Sequence, residues 1–170
     1  MHTFQPYPIE LFEFNPFNRF GKDWALLSAG NREKTNALTV KCGGVGVLWE
    51  KNVCYVFVRQ SKYTKELIDN GDNFSLTFFD PSMKKSVLKY MMMASGRDED
   101  KIKAAGLNVD YSDADIPYID SGNLVFLCRK LSATYIDPED ILEDDILKDQ
   151  YDDKDYHTMY VGEILQILAR

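Results

Sequence analysis

Short apolar runs separated by polar residues and glycines dominate the first half of the chain, a pattern typical of β-strands. Each run is bounded by Gly, Asn or charged residues. The predicted strands are Trp24–Ala29, Asn36–Val40, Val45–Trp49 and Val53–Val58. Before them, residues 1–21 are rich in Pro and Phe and follow neither the helical nor the strand period. We therefore predict a β-rich first half that begins with an irregular aromatic arm.

The middle of the chain mixes helices with strands. Ser61 is placed to cap a helix that Gly71 ends. Phe74–Phe79 alternates as a strand, and Ser82–Met93 has helical spacing. Asp98–Ala105 predicts a second short helix with acids in its first turn. One helix is therefore expected after the fourth strand and two more after the fifth.

The last third of the chain returns to strands. Leu124–Leu131 and Thr158–Leu168 are predicted strands, and a short helix around Pro138–Ile146 and an acidic loop separate them. Short antiparallel-looking strands with helices inserted late favour a closed or nearly closed barrel over a parallel doubly wound sheet. No GxGxxG motif follows a predicted strand, which argues against a dinucleotide-binding Rossmann fold. With 170 residues, 45% of them hydrophobic, the chain has the size of one domain, 1–170.

Charge and cysteine content narrow the function classes. The net charge of −7 argues against sequence-independent binding to nucleic acid, because that needs clustered Lys and Arg. Much of the acidity lies in residues 137–155, which we interpret as a solvated face. Cys42, Cys54 and Cys128 form no CxxC pair, so we expect reduced thiols and no metal site. Without a signal-like start or an apolar stretch of about 18 residues, the chain is expected to be soluble and cytoplasmic, with no membrane partner.

Hydrolase and metalloprotease motifs are absent from the sequence. There is no GxSxG elbow and no HExxH, and His2 and His157 are the two imidazoles of the chain. Acid and base chemistry by carboxylates stays open, since acids are abundant.

The segment VRQSKYT, residues 58–64, has the chemistry of an anion site. A predicted buried strand delivers these residues to the start of a helix, where free backbone N–H groups and the helix dipole favour a phosphate. Hydroxyl and cationic side chains would complete the set of donors. The residues concerned are Arg59, Ser61, Lys62, Tyr63 and Thr64. An ordinary capped helix with its charges in water is the alternative.

Two further segments have features of a cofactor site. At Ser95, Gly96 and Lys101 a glycine allows close backbone approach and a basic residue stands at a helix start, although a capped turn would look the same. Residues 35–44 place small and amide-bearing side chains along a strand that runs into two glycines. Asn36 and Thr39 could offer hydrogen bonds to the polar edge of a flat ring, and a plain β-hairpin is the alternative.

Four segments in this order and spacing resemble the flavin reductase-like, FMN-binding split-barrel family, including its flavoredoxin-type members. They are NREKTNALTVKCGGVG, VFVRQSKYT, SGRDEDKIKAAGL and YHTMYVGEI, and the resemblance covers most of residues 20–165. It implies a mainly β fold with inserted helices, a six-stranded Greek-key split β-barrel. It also implies a homodimer with FMN near the subunit interface, reduced by NAD(P)H or by a protein electron donor.

The resemblance also implies roles for individual residues. The phosphate of FMN would be surrounded by Arg59, Ser61, Lys62, Tyr63 and Thr64, with Ser95, Gly96 and Lys101 approaching from a second loop. The ring and ribityl chain would lie along Asn36, Ala37, Leu38, Thr39, Val40, Lys41 and Cys42. His157 would lie near the reactive face of the flavin, where a nicotinamide could stack; a packing or solvent-facing histidine is the alternative.

The chain departs from the family pattern at Met91–Met93, where relatives often carry a Cys and Gly pair. These methionines are expected to form an adaptable wall of the pocket or to pack in the core. Three hypotheses follow: an NAD(P)H-dependent flavin reductase, a non-enzymatic FMN electron carrier, and a barrel that has lost the flavin. The aromatic arm, with Phe4, Phe12, Phe14 and Phe17, is expected at a dimer interface.

Overall fold

The computed structural model describes residues 3–170, so Met1 and His2, including the second imidazole of the chain, lie outside the described residues. The strands are β1 (Gln5–Tyr7), β2 (Ala25–Gly30), β3 (Thr35–Val40), β4 (Gly43–Leu48), β5 (Lys51–Arg59), β6 (Asn73–Phe78), β7 (Val109–Tyr111), β8 (Pro117–Ile119), β9 (Leu124–Tyr135) and β10 (His157–Ala169). The helices are α1 (Pro16–Asn18), α2 (Tyr63–Asn70), α3 (Lys85–Met93), α4 (Lys101–Ala104) and α5 (Asp144–Gln150).

One antiparallel sheet forms the body of the molecule. Its strands run in the order β3-β2-β6-β9-β10-β5-β4, with β1 added along β10, and β7 and β8 form a separate hairpin. The two ends of the sheet, β3 and β4, do not pair with each other within the described chain. The barrel is therefore split, and the predicted fold class is confirmed, with more strands in the main sheet than the six that the resemblance implied.

The barrel interior is filled by the inward faces of these strands. Successive strand residues point to opposite faces, so Leu27 of β2 lies in the interior whereas Leu26 packs against the helices outside. Register shifts in β10 mark irregularities that bend the sheet. A Cβ at Gly162 would lie 2.5 Å from the ring of Phe74, so the glycine lets the core pack close to this strand.

A second apolar layer covers the outer face of β2 and β3. Leu88 and Met91 of α3 and Ile102 of α4 pack there against Leu26 and Ala37. This layer holds the C-terminal end of α3 beside β3, where the candidate site lies.

The aromatic arm packs largely on its own chain. The rings of Phe12 and Phe14 lie 5.5 and 5.3 Å from Phe126, and β1 pairs with β10. Phe17 is 85% exposed. Burial of Phe12 and Phe14 therefore needs no second subunit, and the dimer stays a prediction.

Several element boundaries differ from the sequence-based prediction. The expected helix at Pro138–Ile146 is instead a 3-10 turn at Pro138–Asp140 followed by α5. The helix after β5 is preceded by Lys62, since the hydroxyl of Ser61 donates to Asp155 rather than capping the helix. The hairpin of β7 and β8 was missed because each strand has only three residues. Within residues 3–170, no helix is long and apolar enough to cross a membrane.

Candidate functional site

Two adjoining cavities lie beside β3 and the C-terminal end of α3, and they share Leu38, Lys62 and Met93. The smaller cavity, of about 100 Å³, brings together residues that the sequence places in three separate segments: Asn36, Leu38, Ser61, Lys62, Tyr63, Thr64, Ser95, Gly96 and Lys101. The larger cavity, of about 310 Å³, is lined by Thr39, Val40, Lys41, Cys42, Arg59 and His157, among others. Ala37 lines neither cavity, because its side chain packs in the outer apolar layer.

Two ammonium groups give the smaller cavity its charge. Lys101 is only 2% exposed, and its Nζ donates to the carbonyls of Met91 at 2.8 Å and Ala94 at 3.1 Å. Nζ of Lys62 donates to the carbonyl of Met92 at 3.2 Å. The last carbonyls of a helix lack partners within the helix, so the end of α3 stabilises both cations.

The two lysines have no carboxylate partner among the described residues within the 4.0 Å distance of an ion pair. Burial, together with the neighbouring Lys62, lowers the pKa of Lys101 to about 8. Both effects disfavour the charged form of Lys101. The cavity therefore holds positive charge that an anion would stabilise.

Uncharged donors surround the same space. The hydroxyl of Tyr63 is enclosed and has no hydrogen-bond partner in the part of the chain that the structure describes. Asn36 donates through Nδ2 to Oγ1 of Thr64 at 3.0 Å. A Cβ at Gly96 would lie 2.4 Å from Oδ1 of Asn36, so a side chain here would force Asn36 or this loop to shift away from β3. A cavity lined by these polar side chains and by two cations suits a ligand with several acceptor oxygens.

The larger cavity combines apolar walls with a polar rim. Phe57, Val58 and Met92 contribute apolar surface. The hydroxyl of Thr39 donates to the carbonyl of Leu88 at 2.6 Å and is thus already engaged. A flat, largely apolar ring with a few polar edge atoms fits such a lining.

Arg59 and Ser61 face the acidic segment before β10. The Arg59 guanidinium donates to Asp153 at 3.1 Å and to the carbonyl of Gln150 at 2.8 Å. The carboxylate of Asp155 accepts from the backbone N–H of Ser61 at 3.1 Å and from its hydroxyl at 2.5 Å. The pKa of Asp153 is lowered by the backbone N–H of Asp155 and by Arg59. Arg59 therefore holds this loop in place and lines the larger cavity rather than the smaller one.

His157 is half-buried in the wall of the larger cavity. Its Nδ1 lies 2.5 Å from the hydroxyl of Tyr151, and its ring meets Phe57 edge to face. Burial and the nearby Arg59 lower the pKa of His157, and Asp155 and Asp153 oppose that shift. The imidazole therefore favours its neutral form and can form a hydrogen bond with a bound molecule.

The sequence matches a family model described as a flavin reductase like domain over residues 17–170. The chain belongs to this family. A comparison with curated proteins found no significant match.

Solved structures of the same fold agree with the family. A flavoredoxin from Methanosarcina acetivorans is 23% identical, with a TM-score of 0.67 over 87% of this chain and 68% of that one. An FMN-binding protein from Thermus thermophilus is 14% identical, with a TM-score of 0.69 over 98% of this chain and 82% of that one. An NADH:FAD oxidoreductase from Streptomyces globisporus is 10% identical, with a TM-score of 0.65 over 91% and 79%.

In this flavin reductase-like chain, the three consecutive methionines Met91–Met93 have different surroundings. Met91 is fully buried in the outer apolar layer, Met92 lines the larger cavity, and Met93 is 79% exposed where the two cavities meet. Met91 thus packs in the core, whereas Met92 contributes to the wall of a cavity.

Sequence reasoning missed Tyr151, Asp153 and Asp155. All three lie in or next to the acidic segment that was interpreted as a solvated face, yet they contact Arg59, Ser61 and His157. The available signal was an aromatic residue within a run of acids, which a purely solvated face does not require.

Proposed function

We propose that the protein is a flavin-dependent oxidoreductase that holds FMN with its ring system in the larger cavity and its phosphate in the smaller one. The observation that carries the proposal is the pair of ammonium groups on Lys62 and Lys101, which lacks a carboxylate partner among residues 3–170 and lies at a cavity that Tyr63 also lines. Family membership supports the same conclusion.

The residues present fit a phosphorylated flavin. A phosphate dianion would stabilise both lysines and accept from Tyr63, and Ser95 would add a further donor. β3 and the apolar wall opposite it would exclude water from the ring. Bound FMN supplies hydride chemistry, and no protein nucleophile is required.

We further propose that NAD(P)H is the reductant and that His157 lies beside the place where the nicotinamide reacts. The exposure of Met93 at the mouth of the cavities and the position of His157 in the cavity wall support access from that side. A homodimer remains part of the proposal, since exposed apolar residues such as Trp49 and Leu165 would be covered by a second copy.

The test compares two flavins that differ only in the phosphate. We expect FMN to bind more tightly than riboflavin, and Lys101→Gln to weaken FMN binding roughly 10- to 100-fold, as for the loss of a hydrogen bond to a charged group. Riboflavin binding should be unchanged. Lys103→Gln, at an exposed position on the same helix, is the matched control.

Equal affinity for FMN and riboflavin would refute the phosphate assignment. Steady-state oxidation of NADH or NADPH by the FMN-loaded protein tests the reductant. Tightly held FMN with negligible turnover would identify an electron carrier that receives electrons from a protein donor, and a protein that takes up no flavin would refute the whole proposal.

A further inference from the structure

Tyr151, the residue that follows α5, lies between the acidic segment and the cavity wall. It is only 9% exposed, and its hydroxyl lies 2.5 Å from Nδ1 of His157. Its ring is held by Tyr156, at 4.9 Å between centroids, and by the guanidinium of Arg59 at 5.5 Å. The side chain is therefore fixed on several sides, and its one polar atom is directed at the imidazole.

The surroundings of Tyr151 favour one direction for this hydrogen bond. Within residues 3–170, the hydroxyl of Tyr151 has no hydrogen-bond partner other than His157. If Nδ1 carried a proton, the tyrosine proton would be left without an acceptor in a largely buried position, which is unfavourable. If Nδ1 accepts instead, the hydroxyl is satisfied and the ring proton lies on Nε2.

Protonation preferences of the two groups agree with this direction. Burial raises the pKa of Tyr151, so its hydroxyl keeps its proton. Burial and Arg59 lower the pKa of His157, so its ring is neutral near pH 7. Neutral imidazole has one donor and one acceptor nitrogen, and the tyrosine engages the acceptor.

We propose that Tyr151 is a positioning residue that fixes His157 in its neutral Nε2–H tautomer, so that the imidazole offers an N–H donor to the larger cavity. Nε2 has no partner among the described residues and is not among the fully enclosed polar atoms without one. The tautomer is inferred from the contacts of Tyr151 and His157 within the chain, without reference to a bound flavin. That this N–H donates to the polar edge of a bound flavin or nicotinamide rests on the proposed function.

Other charged and titratable groups also face the imidazole. Arg59 comes from β5, Asp153 and Asp155 come from the loop before β10, and Lys41, Cys42 and Lys62 line the same cavity. Arg59 disfavours imidazolium and the two aspartates favour it. None of these groups is hydrogen-bonded to Nδ1 in the described chain, so the tautomer depends on Tyr151.

The first experiment measures the tautomer directly in flavin-free protein by long-range 1H–15N NMR. The chain has two histidines, so His157→Gln assigns the signals. We expect the parent to show the Nε2–H tautomer of His157 at neutral pH. An Nδ1–H signal in the parent would overturn the proposal, whatever the variants show.

Two tyrosine variants then separate the hydroxyl from the ring. Tyr151→Phe should lose the tautomer preference and raise the pKa of His157, because the neutral form is no longer stabilised at Nδ1. Tyr156→Phe removes the hydroxyl of the neighbouring ring, and this hydroxyl makes no hydrogen bond to His157. This variant should leave the tautomer and the pKa of His157 unchanged. A Tyr151→Phe spectrum identical to the parent would also overturn the proposal.

The FMN-loaded protein tests the catalytic consequence. In Tyr151→Phe, the single-turnover rate of flavin reduction by NAD(P)H should fall about three- to tenfold, as for the loss of one oriented hydrogen bond. The pH profile of this rate should shift toward higher pH, as the pKa of His157 does. FMN affinity should not change. An unchanged rate and profile would refute the role in catalysis. Since the NMR experiment uses flavin-free protein, failure of flavin binding would be recognised separately.

Discussion

The buried ammonium of Lys101 makes the stability of the flavin-free protein depend on pH. Its pKa is lowered from 10.5 to about 8, so the folded state releases this proton at lower pH than the unfolded state. Between these two values the unfolded chain binds more protons, and stability therefore rises with pH. From about pH 7 to about pH 9.5, linkage gives a gain of about 2 kcal/mol from this one group.

Lys101→Met isolates this contribution, because every other group titrates in both proteins. The free energy of unfolding, measured by urea denaturation across this pH range, should rise by about 2 kcal/mol more in the parent than in the variant. Lys103→Met, at the exposed position two residues later, should show the same pH dependence of the free energy of unfolding as the parent. Parallel pH profiles for the parent and Lys101→Met would refute the conclusion that burial disfavours the charge.

Two further substitutions test the geometry of the smaller cavity. Gly96→Ala would place a Cβ 2.4 Å from Oδ1 of Asn36. Relieving this clash is expected to cost about 1–3 kcal/mol, so FMN affinity, followed by quenching of flavin fluorescence, should fall roughly 5- to 150-fold. Gly46→Ala, with open space around the position, should have no effect, and equal affinities of Gly96→Ala and the parent would contradict the assignment of this loop. Asp155→Asn removes the negative charge of the side chain that accepts from the N–H and the hydroxyl of Ser61. FMN should then bind several-fold more tightly, since one competing hydrogen bond is worth about 1 kcal/mol. Unchanged affinity would remove Ser61 from the phosphate site.

Much of the fold was predictable because its signals are local. The apolar runs that become β2, β3 and β5 alternate with glycines and charged residues, and the structure places strands there. β2 shows the limit of that approach: Leu26 and Leu27 are both buried, since one faces the barrel and the other the helices. Periodicity alone does not reveal such a second layer. The extension of β9 to Tyr135 is likewise set by pairing with β10 rather than by its own sequence.

The candidate site was only partly predictable, because the partner of a charged side chain depends on residues far away in the chain. Arg59 and Lys62 looked equivalent in VRQSKYT, yet Arg59 pairs with Asp153, 94 residues later, whereas Lys62 contacts the end of α3. The acidic segment thus withdraws one cation from the expected phosphate set and stabilises the wall that carries His157. Lys101, from a different segment, takes the place beside Lys62. An anion site made of one strand end, one helix end and one loop can therefore be suggested from sequence, but which cations remain for the ligand is decided by the tertiary contacts of the acids.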